Sequence, residues 1–160
     1  MTSTQADAPG RVSPVDGLAQ LSFVIQSLLE RQAAAHDLTM AQVRLLGILR
    51  DRTPTMHELA RLLGLDKSST TGLVHRAERR GLVQRAPSAT DRRSVQVSLT
   101  LEGRTLVSAA AARFGTDVTD LLGLLPPADR DSLSGLISRL LVAHAAQQGT
   151  DLFAPADAEA

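Results

Sequence analysis

The side chains best equipped to do chemistry in this chain are arginines. Sixteen of its seventeen basic residues are Arg, whose planar fork matches the geometry of a phosphate. They are unevenly spread. From Arg61 to Arg93 stand Arg61, Lys67, Arg76, Arg79, Arg80, Arg85, Arg92 and Arg93 against Asp66, Glu78 and Asp91, a net of +5. From Phe114 to Ala160 two basic residues meet seven acidic ones, a net of −5. The formal charge of the 160 residues is +0, so the balance conceals one segment suited to a polyanion and another that would avoid it.

Other chemistry is thin. With no Cys there is no disulfide, thiolate ligand, thiol nucleophile or cysteine redox switch. The four His (His36, His57, His75, His144) are scattered and show no metal-ligand spacing, which leaves only a site shared across a dimer. No Gly-rich phosphate loop, nucleophile elbow or carboxylate pair stands out. The sequence therefore predicts a protein that is not an enzyme and carries no cofactor.

The elements that must position the arginines read mostly as helices. Three Phe, no Trp and no Tyr leave the core to aliphatics, and 26 Leu with 23 Ala favour helix. Residues 1–14 read as a mobile tail, and Met1–Val15 lacks a hydrophobic signal core. No apolar run approaches the ~20 residues of a membrane helix, so a cytoplasmic protein is expected. Leu18, Leu21, Ile25 and Leu28 mark an amphipathic helix to about Ala35. Thr39 and Gln42 form a capping box ahead of a second helix, which Asp51-Arg52-Thr53-Pro54 breaks. Thr55 and Glu58 form another, opening a short helix that Gly64 stops. Asp66 then caps a helix over Lys67–Arg80, closed by Gly81. Two short helices joined so tightly are a helix-turn-helix pattern.

After Gly81 the period changes. Leu82–Ala86 and Ser94–Leu99 read as strands, the second placing Val95, Val97 and Leu99 on one face, with a polar loop over 87–93 between them. Thr100 caps a long helix carrying Leu106, Phe114, Val118, Leu121, Leu122 and Leu125, which Pro126-Pro127 is expected to end. A last helix carries Leu133, Leu136, Ile137, Leu140, Leu141 and His144, and residues 149–160 read as a frayed tail.

This order, with its motifs, resembles the MarR family of winged-helix transcription regulators over 38–103. The matching residues are Leu38-Thr39-x-x-Gln42, Thr55-x-x-Glu58-Leu59-Ala60-x-x-Leu63-Gly64-Leu65, Glu78-x-x-Gly81-Leu82-Val83-x-Arg85, Asp91-Arg92-Arg93 and Leu99-Thr100-x-x-Gly103. The resemblance implies a mostly α fold: a winged helix-turn-helix with a two-stranded β-wing, and N- and C-terminal helices forming a dimerisation region. It divides 15–148 into dimerisation helices (15–37 and 104–146) and a DNA-binding lobe (38–103). It implies a homodimeric regulator, most often a repressor, on a pseudo-palindromic double-stranded DNA site. The alternative is a winged-helix module that binds an acidic protein partner without specific DNA binding.

Residue by residue, Thr70, Leu73, Val74 and Ala77 share the inward side of the second helix-turn-helix helix. Ser68, Gly72, His75 and Arg79 lie opposite, flanked by Ser69, Thr71 and Arg76, with Lys67 at the start. Hydroxyls with basic edges suit the major groove, although Ser and Thr at a helix start also satisfy free N–H groups. At Gly72 the family commonly carries a longer polar or basic side chain. In the loop, the resemblance implies that Asp91 orients Arg93 into the minor groove, with Arg92 left for a phosphate. A solvated turn is the plainer reading of those three.

Many relatives release DNA when a small aromatic acid or phenol binds between the dimer body and the DNA lobe. Here that junction would involve Phe23, Gln26, His36, Met40, Arg44 and Arg113. His36, Met40 and Arg44 are the candidate ligand contacts, since a cation beside apolar walls suits an anionic aromatic.

Overall fold

Capping residues set where most helices of this chain begin. In the computed structural model, which describes residues 12–88 and 94–147, six helices and two strands follow in the order α1 (Pro14–Ala35), α2 (Met40–Asp51), α3 (Met56–Leu63), α4 (Lys67–Arg79), β1 (Val83–Pro87), β2 (Val95–Leu99), α5 (Leu101–Leu122), α6 (Pro127–Gln147). Thr39 and Thr55 complete reciprocal capping boxes with Gln42 and Glu58. Asp66 accepts from the Ser69 N–H, and Thr100 from the Gly103 N–H. Gly64 and Gly81 follow their helices with positive φ, as the expected stops require.

Two boundaries differ from expectation for one reason. Proline fixes φ at a helical value and lacks only an N–H that the first turn leaves unused. Pro14 therefore opens α1, with Ser13 as its N-cap, rather than closing a tail. Pro127 likewise starts α6, while α5 has already ended at Leu122, with Gly123 as its C-cap. Leu125 thus lies outside α5. The strands pair antiparallel from Val83↔Leu99 to Pro87↔Val95, and Val95 is exposed although Val97 and Leu99 are buried.

The core sits in the lobe formed by α2, α3, α4, the ribbon and the start of α5. Leu45, Leu49, Leu59, Leu63, Leu73, Val74, Ala77, Leu82, Val83, Val97, Leu99 and Val107 are among its buried members. Each large aliphatic there contributes about 1.5–3 kcal/mol by leaving water. Pro54 and Thr55 add a short third edge: Thr55 bridges Gln96, and the Val97 N–H donates to the Pro54 carbonyl at 2.9 Å.

Alpha-helix α1 meets α5 through Gln32, whose Nε2 donates to Asp117 Oδ2 at 3.0 Å. Arg31 and Arg113 each stand 3.7 Å from the same carboxylate. The outer sides of α1 and α6 are different. Leu18, Phe23, Leu136, Ile137, Leu140 and Leu141 are all exposed, and Ala145 is the one buried residue of α6.

Candidate nucleic-acid interface

Helix α4 is held by its inner face. Thr70, Leu73, Val74 and Ala77 are at most 2% exposed, as the 3.6-residue period predicts. The buried Thr70 hydroxyl is satisfied by the Asp66 carbonyl at 2.9 Å. This anchoring turns Lys67, Ser68, Ser69, Thr71, His75, Arg76 and Arg79 outward, all exposed, with Gly72 half-buried among them. The geometry is a helix face of small polar groups edged by cations.

The hydroxyls on that face differ. Ser69 Oγ donates to Asp66 Oδ2 at 2.6 Å, and Thr71 Oγ1 donates to the Lys67 carbonyl at 2.7 Å. Both hydroxyl protons are thus committed within the helix start, Ser69 to the capping carboxylate and Thr71 to the carbonyl one turn back. Ser68 makes no side-chain hydrogen bond among the described residues and keeps its hydroxyl for another partner. The Ser69 hydroxyl and N–H hold the Asp66 carboxyl below its ordinary range, so it stays ionised beside the free N–H groups of the first turn.

The basic stretch also divides. Arg80 turns away from the exposed face of α4 and donates to the carbonyls of His36 and Asp37. Arg85, on β1, stands 3.6 Å from Glu78 and 3.5 Å from the Thr71 carbonyl, tying the ribbon to α4. Lys67, Arg76 and Arg79 make no ion pair among the described residues and remain free for an anion. The ladder ends at Pro87↔Val95, where the Ser88 N–H donates to the Ser94 carbonyl at 2.9 Å. Asp91, Arg92 and Arg93 lie outside the described residues.

The candidate ligand contacts do not converge on a cavity. His36 caps α1, Met40 opens α2 and Arg44 is exposed. Phe23 is exposed, while Gln26 donates to Glu30 and Arg113 faces Asp117. A cavity of about 210 Å³ lies instead between α1, α2 and α5, walled by Leu29, Ala33, Leu38, Leu46, Val107 and Phe114 among others, with Gln32 and Arg50 as its polar members. Sequence reasoning missed it, because its walls come from three helices whose approach no local pattern encodes. The Arg50 side chain forks onto Asp51 at 2.8–3.0 Å, which holds the Asp51 carboxyl below its usual range.

A helix-turn-helix whose second helix offers a basic, small-residue face, followed by a two-stranded wing, defines a winged-helix DNA-binding protein. Residues 36–94 match the model of the MarR family. The HTH-type transcriptional repressor NicR of Pseudomonas putida is 32% identical over 115 residues, covering 67% of this chain and 73% of that protein. The homoprotocatechuate degradative operon repressor of Escherichia coli is 40% identical over 104 residues, 58% of this chain and 70% of that one. The solved structure of RV1404 from Mycobacterium tuberculosis shares the fold with a TM-score of 0.72 at 26% identity, covering 86% of this chain and 98% of its own. The chain belongs to the MarR family. It is a DNA-binding transcriptional regulator and not an enzyme.

Proposed function

We propose that this protein is a cytoplasmic repressor that grips a pseudo-palindromic operator as a homodimer and lets go when a small aromatic acid or phenol binds. The observation that carries the dimer is the uncovered apolar surface of α1 and α6. Leu136, Ile137, Leu140 and Leu141 are between 43% and 58% exposed, and Phe23 is 60% exposed. A monomer would present this to water as a patch above the few hundred Å² that soluble chains tolerate. A second copy covers it by two-fold symmetry, which sets two α4 helices about one DNA turn (~34 Å) apart.

In this reading Ser68, Ser69, Thr71, His75 and Arg76 face the major groove, and Lys67 and Arg79 meet phosphates. Asp91, Arg92 and Arg93 serve the wing, with Arg93 in the minor groove. The effector seat is the cavity between α1, α2 and α5, larger than the roughly 150 Å³ void that accepts benzene. Gln32 and Arg50 supply its polar contacts, while His36, which follows α1, and Met40 and Arg44 of α2 stand outside its lining. The homoprotocatechuate operon repressor, by its name, governs breakdown of such an aromatic acid, which supports this class of effector.

The test pairs sedimentation with fluorescence anisotropy on the protein's own upstream DNA, with and without phenolic acids. A dimer at micromolar concentration that binds an inverted repeat and is released by such an acid supports the proposal. A monomer that binds a single half-site tightly defeats it. Ala110 of α5 also lines the cavity, and filling it with Ala110→Phe should abolish release while leaving DNA binding intact.

A further inference from the structure

Gly72 lies in the middle of α4, where glycine is the least favourable residue after proline. Gly64 and Gly81 use a positive φ; Gly72 does not, so its backbone freedom is not the reason it is there. What it supplies is the absence of a side chain. Arg76 Nη1 occupies that space, 3.3 Å from where a Cβ would stand.

Helical side chains lean toward the N-terminus over the residue four earlier, which carries Arg76 onto Gly72. At 3.6 residues per turn, Arg76 sits on the flank of α4, about 70° from the centre of the outward stripe of Ser68, Gly72, His75 and Arg79. Lying across the notch returns its guanidinium toward that stripe. The same place is a shallow groove of about 420 Å³, edged by Ser68, Ser69 and Arg76 on α4 and by Ala41 and Leu65 opposite. Unlike Arg80 and Arg85, Arg76 makes no hydrogen bond or ion pair among the described residues.

We propose that Gly72 and Arg76 form a base-reading pair: the notch at Gly72 seats the Arg76 guanidinium on the groove-facing stripe, where it reads a guanine in each half-site. Arginine suits this task because two of its fixed N–H donors match guanine O6 and N7, a pattern no other base presents in the major groove. Gly72 is the positioning residue and Arg76 makes the contact. The inference rests on the DNA-binding reading above and adds which base α4 selects and why a helix-weakening glycine is present.

The test is selection of duplexes from a randomised library by the full-length protein, then affinities for the selected site, its single-base variants and an unrelated duplex. The wild type should select G·C at one position of each half-site. Arg76→Ala should lose that preference and bind the selected site on the order of 10- to 100-fold more weakly, with little change on the unrelated duplex. Arg76→Lys should not rescue it, since an ammonium cannot make the paired contact. Gly72→Met fills the notch with a helix-forming side chain that offers no donor. It should lose the same preference at an unchanged or higher melting temperature, and the double variant should be no worse than Arg76→Ala. Uniform weakening on every duplex, with the guanine preference intact, would make Arg76 a phosphate contact and overturn the proposal. So would an intact preference in a folded Gly72→Met. Absence of any duplex binding by the wild type overturns the regulator reading first, and this inference with it.

Discussion

Arg80 and Asp37, 43 residues apart, join the end of α4 to the turn between α1 and α2. Arg80 Nη1 donates to the Asp37 carbonyl at 2.6 Å and Nη2 to the His36 carbonyl at 2.9 Å. Asp37 is the one non-glycine residue with positive φ among those described, at 52°, a conformation Asp tolerates better than most. The turn presents two carbonyls side by side, and the two terminal nitrogens of the Arg80 fork take one each.

Arg80→Ala should therefore loosen α4 against the α1–α2 corner. The site is exposed, so the expected cost is about 1 kcal/mol, a fall in melting temperature of about 2–4 °C. Affinity for the operator should drop several-fold, although Arg80 faces away from the groove side, and hydrogen exchange at 36–38 should rise. Arg80→Lys should restore only part, since a compact ammonium lacks the fixed spacing of the two guanidinium nitrogens. Asp37→Gly should keep both affinity and stability, because the backbone carbonyl is the acceptor. An Arg80→Ala protein with unchanged affinity would show that the link is not used in binding.

Gly103→Ala should be among the most damaging single-methyl changes in the chain. Gly103 is buried in the first turn of α5, and a Cβ there would overlap the Leu82 carbonyl oxygen. That carbonyl also accepts from the Thr100 N–H at 3.1 Å, so neither side can withdraw freely. Overpacking against backbone should cost about 3 kcal/mol and lower the melting temperature by roughly 6–12 °C. Gly47→Ala, where nothing lies within 4 Å, is the control and should be neutral or stabilising.

Acid should weaken the start of α3. Hydrogen bonds from the Thr55 N–H, at 2.7 Å, and from its hydroxyl hold the Glu58 carboxyl below its ordinary range. A carboxyl depressed in the folded state stabilises fully above its unfolded value, about 4.3, and that stability is lost as pH falls through the lower folded value. Thr55→Ala should cost about 1 kcal/mol at pH 7, and less once Glu58 is protonated. Glu58→Gln keeps an acceptor and should flatten this part of the acid limb. Urea melts at pH 7 and pH 3 distinguish the cases.

DNA affinity should fall steeply with salt. With about six to ten phosphate contacts per dimer, raising salt from 50 to 200 mM should cost on the order of 10³–10⁵ in affinity. Arg79→Ala should lower the slope by about one contact. Arg93→Ala should cost about 1–3 kcal/mol of binding without melting the protein. A flat salt response would remove the phosphate role of Arg79 and Arg92.

What the sequence determined by itself was local. The capping boxes of Thr39–Gln42 and Thr55–Glu58, the stops at Gly64 and Gly81, and the inward stripe of α4 each depend on residues within about two helical turns of one another, and each was legible there. The matched order of motifs carried the family. Gly103 shows the limit: its motif position was readable, but the reason is the Leu82 carbonyl, which only the docking of α5 brings near. Tertiary structure alone decided that Arg80 and Arg85 serve architecture while Arg76 and Arg79 stay free, since Arg is the same letter in both roles. It alone opened the cavity between α1, α2 and α5 and gave the ribbon its extra edge at Thr55. The physical reason is range. Caps and periodicity act within one or two turns of chain, whereas a guanidinium on a distant carbonyl, or walls from three helices, depends on how whole elements pack.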